Sequence, residues 1–258
     1  LTATIRYGAV TKDPAIPSVI EDVFEKARHY QVGVDSTGTP RYCDNFINDY
    51  YDDEGWWALA WIEASKLTGE KKYLDMAEII FDDMTTGWSD ACGGGIFWKK
   101  NPLHYKNSIA NNLFSLTAIR LYKATQNPAY LDWFKKNVDW YTQTGMINTD
   151  IYQIEDGTKD DCTPNRNAHY TYNQGVAIAV LAEMYLQTND KSYLELAEKI
   201  ADATITTQLV TDEGILREMK PEIDDSNDGV QFKGIFIRHL AFLYEVTKNP
   251  AYKDFILK

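Results

Sequence analysis

Apolar and polar positions along the chain alternate with a helical period, and the pattern comes in pairs. Residues 56–66, 108–124, 175–187 and 234–246 are apolar around most of their circumference. Each is followed, across a short polar turn, by a more amphipathic segment at 73–84, 130–141, 193–204 and from 252 to the chain end. In the third of these, Leu194, Ala197, Ile200, Ala201 and Thr204 fall on one helical face while Glu195, Glu198 and Lys199 face away. The turns themselves repeat. Thr68, Thr125, Thr188 and Thr247 each precede a tyrosine, namely Tyr73, Tyr130, Tyr193 and Tyr252, and the threonines are 57, 63 and 59 residues apart.

A repeat of this length, each unit one helical hairpin, predicts a solenoid or a closed ring. Helices that are apolar on most sides belong inside, and those with one apolar face outside. Two concentric layers follow, the arrangement of an all-α (α/α) toroid. Four hairpins and an unpaired helix near residues 18–30 are legible, so a six-hairpin ring is expected to be incomplete at both ends. Short β segments are expected on the loops at 96–98 and 146–153. The run Gly93–Gly94–Gly95 reads as a turn. With 258 residues and no Gly/Ser/Pro-rich linker, residues 1–258 are read as one domain.

Composition narrows the function. A net charge of -12 and a pI near 4.8 exclude the basic footprint that nucleic-acid binding requires, and disfavour anionic membranes. No apolar run is long enough for a membrane-spanning segment. The chain opens at Leu1 without a signal-like segment, which suggests a mature form and leaves export open. Cys43, Cys92 and Cys162 form no CxxC pair, so no zinc site is expected; one disulfide with a free thiol and three reduced thiols both remain open. His104, His169 and His239 lack metal-ligand spacing and read as structural. The stretch from Asp224 to Gly229 begins like a calcium loop, but Ile235 stands where the twelfth-position Glu would be, so no metal is assigned. Neither a phosphate-binding Gly loop nor a GxSxG elbow occurs, and no cofactor is expected.

The candidate chemistry gathers at the starts of the inner helices, which the fold brings to one rim. Asp52 and Asp53 lie between Tyr50–Tyr51 and Trp56–Trp57. Acidic pairs also occur at 82–83, 160–161 and 224–225, and acids near a helix start ordinarily serve as caps. The 52–53 pair differs by its aromatic surroundings. A carboxyl against apolar rings loses hydration and gains proton affinity, as a general acid needs, while a hydrogen-bonded neighbour stays ionised as nucleophile. An irregular backbone there would bring the two carboxyls to the separation of a retaining glycosidase. Trp98, Asn107, Asn111, Tyr172, Asn173 and Gln174 add rings and neutral amides suited to sugar faces and hydroxyls. Lys233 and Arg238 are expected as ion partners of the acids.

The segments Tyr51–Trp57, Cys92–Ile96 with Trp98, Tyr105–Asn107, Thr171–Gly175 and Phe232–Gly234, taken in order, resemble glycoside hydrolase family 76. These are the endo-α-1,6-mannanases, with related fungal cell-wall proteins of the Dfg5/Dcw1 type. The resemblance implies an (α/α)6 fold and retaining cleavage of α-1,6-mannosidic linkages in mannan or mannooligosaccharides. It also implies Asp52 as nucleophile, Asp53 as general acid/base, and an extracellular or cell-surface setting. Two alternatives stay open: a transglycosylase acting on cell-wall mannosyl glycans, and a non-catalytic mannan-binding protein on the same fold. A sugar epimerase is disfavoured because the histidines lie away from these clusters.

Overall fold

The computed structural model describes residues 1–34, 36–100, 105–166, 169–219 and 228–258. It contains five consecutive helical hairpins: α1 (Thr2–Thr11) with α2 (Ile16–Ala27), α3 (Tyr51–Thr68) with α4 (Lys71–Thr85), α5 (Ser108–Thr125) with α6 (Pro128–Gln143), α7 (Thr171–Thr188) with α8 (Lys191–Thr206), and α9 (Gly229–Thr247) with α10 (Pro250–Ile256). The odd-numbered helices pack side by side in chain order as an inner layer, and the even-numbered ones cover them. This is the architecture of an (α/α) toroid. The inner helix α7 is buried from Asn173 to Met184, whereas its partner α8 buries only Ala197, Ile200, Ala201 and Thr204. A Cβ at Gly175 would lie 2.6 Å from the Phe236 Cα, so this glycine sets how closely α7 and α9 approach.

The repeated threonine has a physical role. In Thr11, Thr68, Thr125, Thr188 and Thr247 the hydroxyl donates to the carbonyl four residues back. The same oxygen accepts the N–H two residues ahead, from Asp13, Glu70, Asn127, Asp190 and Asn249. Between them sits a left-handed residue that stops the inner helix. In three of the five turns the following Asp or Asn caps the outer helix, and Asp13 makes the equivalent bond to the Ala15 N–H just ahead of α2. The turn after α1 is therefore a fifth copy. The helix expected alone near 18–30 is instead the outer member of a hairpin, and it ends at Ala27. The tyrosine of the repeat also has a partner: the hydroxyls of Tyr73 and Tyr130 donate to Glu21 and Glu78 on the preceding outer helix.

Two small hairpins decorate the loops. Strands β3 (Ile147–Asn148) and β4 (Gln153–Ile154) fall close to the expected segment, and Ile96 makes a bridge to Trp88. The antiparallel pair β1 (His29–Val34) and β2 (Pro40–Asp44) was not expected; it leads straight into α3. The core beneath is aromatic, with Phe24, Phe46, Trp61 and Tyr73 in mutual contact.

Far from the rim, the inner helices carry a second pattern. Arg6, Glu63, Arg120 and Glu183 each stand five residues before the terminal threonine, so they share one level of the ring. Arg6 pairs with Glu63 at 3.3 Å, and Arg120 with Glu183 at 3.2 Å, with Lys123 also on Glu183. Nearby, burial and the charges of Arg238, Arg6 and Arg120 hold His239 far below its ordinary range, so it is neutral.

Candidate active site

Helix α3 starts at Tyr51 after an extended Tyr50, so Asp52, Asp53 and Glu54 occupy its first turn. The backbone at the dyad is regular helix, so the separation of the two carboxyls does not come from an irregular main chain. Asp52 receives N–H donors on both oxygens: the Asp53 main chain on Oδ1 at 3.1 Å and Trp98 Nε1 on Oδ2 at 3.0 Å. Burial, reinforced by the Asp53 charge, still pushes Asp52 up to about 7. Asp53 accepts from Asn48 Nδ2 at 2.9 Å. It too is raised, by burial first, with Asp228 adding to the rise. Neither aspartate takes part in an ion pair among the described residues.

The third acid of that turn has a different fate. Glu54 is fully buried and pairs with Lys100 at 2.6 Å; Lys100 also holds Asp83, and burial raises Glu54 to about 8. Glu54 is the fourth residue of α3, as Asn111 is of α5 and Gln174 of α7. All three grip the main chain of the preceding loop, accepting the N–H of Asn48, Ile96 and Ile154 respectively. Asn111 and Gln174 also donate to the carbonyls of Ile96 and Ile154.

The dyad lies in a groove of about 840 Å³. Of the residues singled out from sequence, Asp52, Asp53, Trp56, Trp57, Trp98, Asn107, Tyr172 and Arg238 line it. Four others do not. Tyr51 is buried with its hydroxyl on Thr86, Asn111 and Gln174 clamp loops, and Asn173 is buried beneath the wall with its amide on Asp156. Lys233 lies on α9 outside the groove lining. Arg238 is not an ion partner of the dyad; its guanidinium sits 5.6 Å from the Trp56 ring centroid, and desolvation lowers it to about 10.

Sequence reasoning found Tyr172 but missed Asp156. Asp156 follows β4 and accepts from the Tyr105 hydroxyl at 2.6 Å and Asn173 Nδ2 at 3.1 Å. Tyr172 stacks on Phe232 at 3.9 Å with Tyr170 edge-on, forming an apolar platform. Asp156 sits in no motif; the amphipathic pattern that exposes helices says nothing about a single acid in a loop.

The loop carrying Trp98 is held firmly. The fully buried Lys106 donates its ammonium to the carbonyls of Ser89 (2.7 Å), Ala91 (2.6 Å) and Gly94. A Cβ at Gly95 would overlap the Trp140 ring at 2.3 Å, which explains the glycine there. Cys92 and Cys162 form a disulfide, settling the open pairing, and Cys43 is a buried free thiol. His169 lies 3.3 Å from the buried Glu155. No cluster of metal-ligating side chains occurs among the described residues, and none of their helices is long and apolar enough to cross a membrane. His104 and most of the calcium-like stretch at 224–229 lie outside the described residues.

The profile of glycosyl hydrolase family 76 matches residues 1–258. The chain belongs to this family. Its similarity to the Saccharomyces cerevisiae mannan endo-1,6-alpha-mannosidase DCW1 is 29% identity, over 77% of this chain and 48% of that protein. The chain spans about half the length of the curated relatives it matches. Among solved structures, a Listeria innocua protein superposes with a TM-score of 0.82 at 34% identity, covering 98% of this chain and 68% of that one. The family 76 α-1,6-mannanase of a Salegentibacter species gives 0.82 at 26% identity, covering 98% and 72%. An inactive variant of that enzyme, with two consecutive aspartates replaced by asparagine, was solved with α-1,6-mannotriose.

Proposed function

We propose that this family 76 chain is a retaining glycoside hydrolase that cleaves α-1,6-mannosidic linkages within mannan, with residues 1–258 acting as one catalytic domain. One observation carries the reading: two consecutive carboxylates, both desolvated and free of ion pairs among the described residues, sit in a groove walled by aromatic rings. The Salegentibacter enzyme, whose inactive form lacks two consecutive aspartates, supports the same reading.

The hydrogen bonds favour distinct roles. Two N–H donors on Asp52 suit an anion, and positive charge developing at the sugar C1 would draw it toward the ionised form. Asp52 is therefore read as the nucleophile and Asp53 as the acid/base. Asp53 gives its proton to the glycosidic oxygen as the C1–O bond breaks, and an Asp52 oxygen bonds to C1. Asp53 then takes a proton from water, whose oxygen attacks C1 and releases Asp52 with retained configuration. Trp56, Trp57 and Trp98 offer faces for the mannosyl units, Asn107 and Asp156 offer polar atoms for hydroxyls, and Arg238 borders the groove.

The platform of Tyr172, Phe232 and Tyr170 favours a second reading. An acceptor sugar resting there would intercept the glycosyl-enzyme in place of water, giving transglycosylation. A polymeric substrate and the Cys92–Cys162 disulfide both support an extracellular or cell-surface setting.

The test is hydrolysis of linear α-1,6-mannotetraose by the wild type and by Asp52→Asn and Asp53→Asn, with and without added mannose acceptor. Products of retained anomeric configuration from the wild type, lost in both variants, are expected. Azide should rescue an Asp53→Ala variant with retained configuration; rescue with inversion at Asp52→Ala confirms the nucleophile. Swapped rescue patterns would reverse the roles, and an inactive wild type would overturn the reading.

A further inference from the structure

We propose that Asn48 is a positioning residue for the dyad, holding one oxygen of Asp53 so that the proton used in catalysis rides on the other. The inference rests on the reading of Asp53 as acid/base. Asn48 is in neither the groove lining nor any motif of the sequence, yet it is bonded from both ends of its side chain.

The orientation of its amide is determined by its neighbours. Asn48 Oδ1 lies 2.7 Å from the Tyr50 main-chain nitrogen, which can only donate, so this end must be the oxygen. The amide nitrogen is thereby turned toward Asp53 Oδ2 at 2.9 Å, with Tyr30 Oη at 3.4 Å as a second acceptor. In a protonated carboxyl the carbonyl oxygen is the better acceptor, so an N–H on one oxygen favours the proton on the other. The proton of Asp53 is thus directed to Oδ1.

The loop leaves Asn48 little freedom to do otherwise. Its own N–H is held by the buried Glu54, which Lys100 neutralises. Two residues earlier, Phe46 is fully buried between Phe24, Trp57 and Trp61, in a left-handed conformation at φ 64°. The β1–β2 hairpin and α3 therefore meet at Asn48, and the placement of Asp53 depends on both. The groups that bear on Asp53 are Asp52 on α3, Asp228 at the head of α9, and Tyr30 on β1, behind which lies Cys43 of β2. None of these is a cation, so among these groups the Asn48 amide is the one that offsets the charge of Asp53. Donation to a carboxylate stabilises the anion, so losing the donor raises the proton affinity of Asp53.

Asn48→Asp isolates this effect. It keeps an oxygen for the Tyr50 N–H and replaces the donor with a carboxylate; Asn48→Ala removes both. In each folded variant the Asp53 titration should move up by about one pH unit, with the larger shift in Asn48→Asp. The readout is the ¹³C carboxyl resonance of Asp53, assigned by its absence in Asp53→Asn. The basic limb of kcat/KM on α-1,6-mannotetraose should move upward by the same amount. The loss should fall on kcat, with KM changed less than about two-fold. An Asp53 titration that stays at its wild-type position in both folded variants would overturn the proposal, as would a uniform fall in kcat with an unmoved limb. If the wild type hydrolyses no mannan, the reading of the dyad fails, and the resonance titration still decides whether Asn48 governs Asp53.

Discussion

The two ends of the inner helices treat charge in opposite ways, and α3 carries both. In its first turn Asp52 and Asp53 are desolvated side by side without a cation partner among the described residues. About 16 Å along the same helix, Glu63 is paired with Arg6. One level round the ring, Glu183 is fully buried between Arg120 and Lys123. Buried carboxylates thus occur at both ends, but the dyad, unlike the floor, has no cation partner among the described residues. Leaving a buried charge unpaired costs stability, and a fold keeps such a cost where the raised proton affinity is put to use. Even within the rim the contrast holds, since Glu54 receives Lys100 and its two neighbours receive only N–H donors.

The contrast is sharpest when one carboxylate is neutralised at each end. Asp52→Asn should lower turnover of α-1,6-mannotetraose by roughly 10³-fold or more, equivalent to about 4 kcal/mol of barrier. It should leave Tm unchanged or higher, because a like-charge repulsion is removed. Calorimetry beside the kinetic assay checks both, and a variant that loses activity only by unfolding would erase the distinction between the ends.

The next largest effect separates how the ends are built. The rim loops are held by Lys106 and by the disulfide that spans 70 residues of sequence; the floor is held by ion pairs. The double variant Cys92→Ser with Cys162→Ser should lose about 3 kcal/mol of stability, read from denaturant unfolding. Reductant should lower the wild-type midpoint toward that of the variant and leave the variant itself unmoved.

At the floor, Glu183→Gln leaves Arg120 and Lys123 without their carboxylate. Arg120 is 25% and Lys123 38% exposed, so water relieves part of the cost, and the expected loss is about 2 kcal/mol. Turnover measured well below the melting transition should stay within about two-fold of wild type. A large fall in kcat with an unchanged Tm would mean that the floor takes part in the chemistry.

How far this contrast was legible in the sequence depends on which residues repeat. The inner helices and four of the five turns stand out because Thr and Tyr recur at fixed spacing. The turn at Thr11 was missed because Ile16 replaces the tyrosine, although the threonine and Asp13 make the same hydrogen bonds as their counterparts. Asp52 and Asp53 stood out through their aromatic neighbours. Asn111 and Gln174 shared the same signals, an amide near a helix start, but their bonds go to loop backbone. An amide satisfies a main-chain N–H and a sugar hydroxyl with the same atoms, so its type alone does not separate the two uses. Asn48 and Asp156 lie in loops and act through bonds to residues distant in the fold or on another element, which periodicity does not register.

The smallest effect bears on the electrostatic cause of the contrast. Asp52 is raised to about 7 in the folded chain, while an unfolded aspartate titrates near 4. Between those values the folded state binds more protons than the unfolded one, so stability falls as pH rises through the window and levels above about 7. Glu54, raised to about 8, contributes with the same sign, and Lys100 does not cancel it. Buried, neutral His239 acts with the opposite sign below about pH 6.5, so the test is the comparison: between pH 5 and pH 8 the melting temperature of the wild type should fall relative to that of Asp52→Asn, because the Glu54, Asp53 and His239 contributions are common to both. The difference between the two curves isolates the dyad from every group they share. Coincident slopes would mean that Asp52 carries no excess proton in the folded state, and the rim would then owe its chemistry to groove geometry alone.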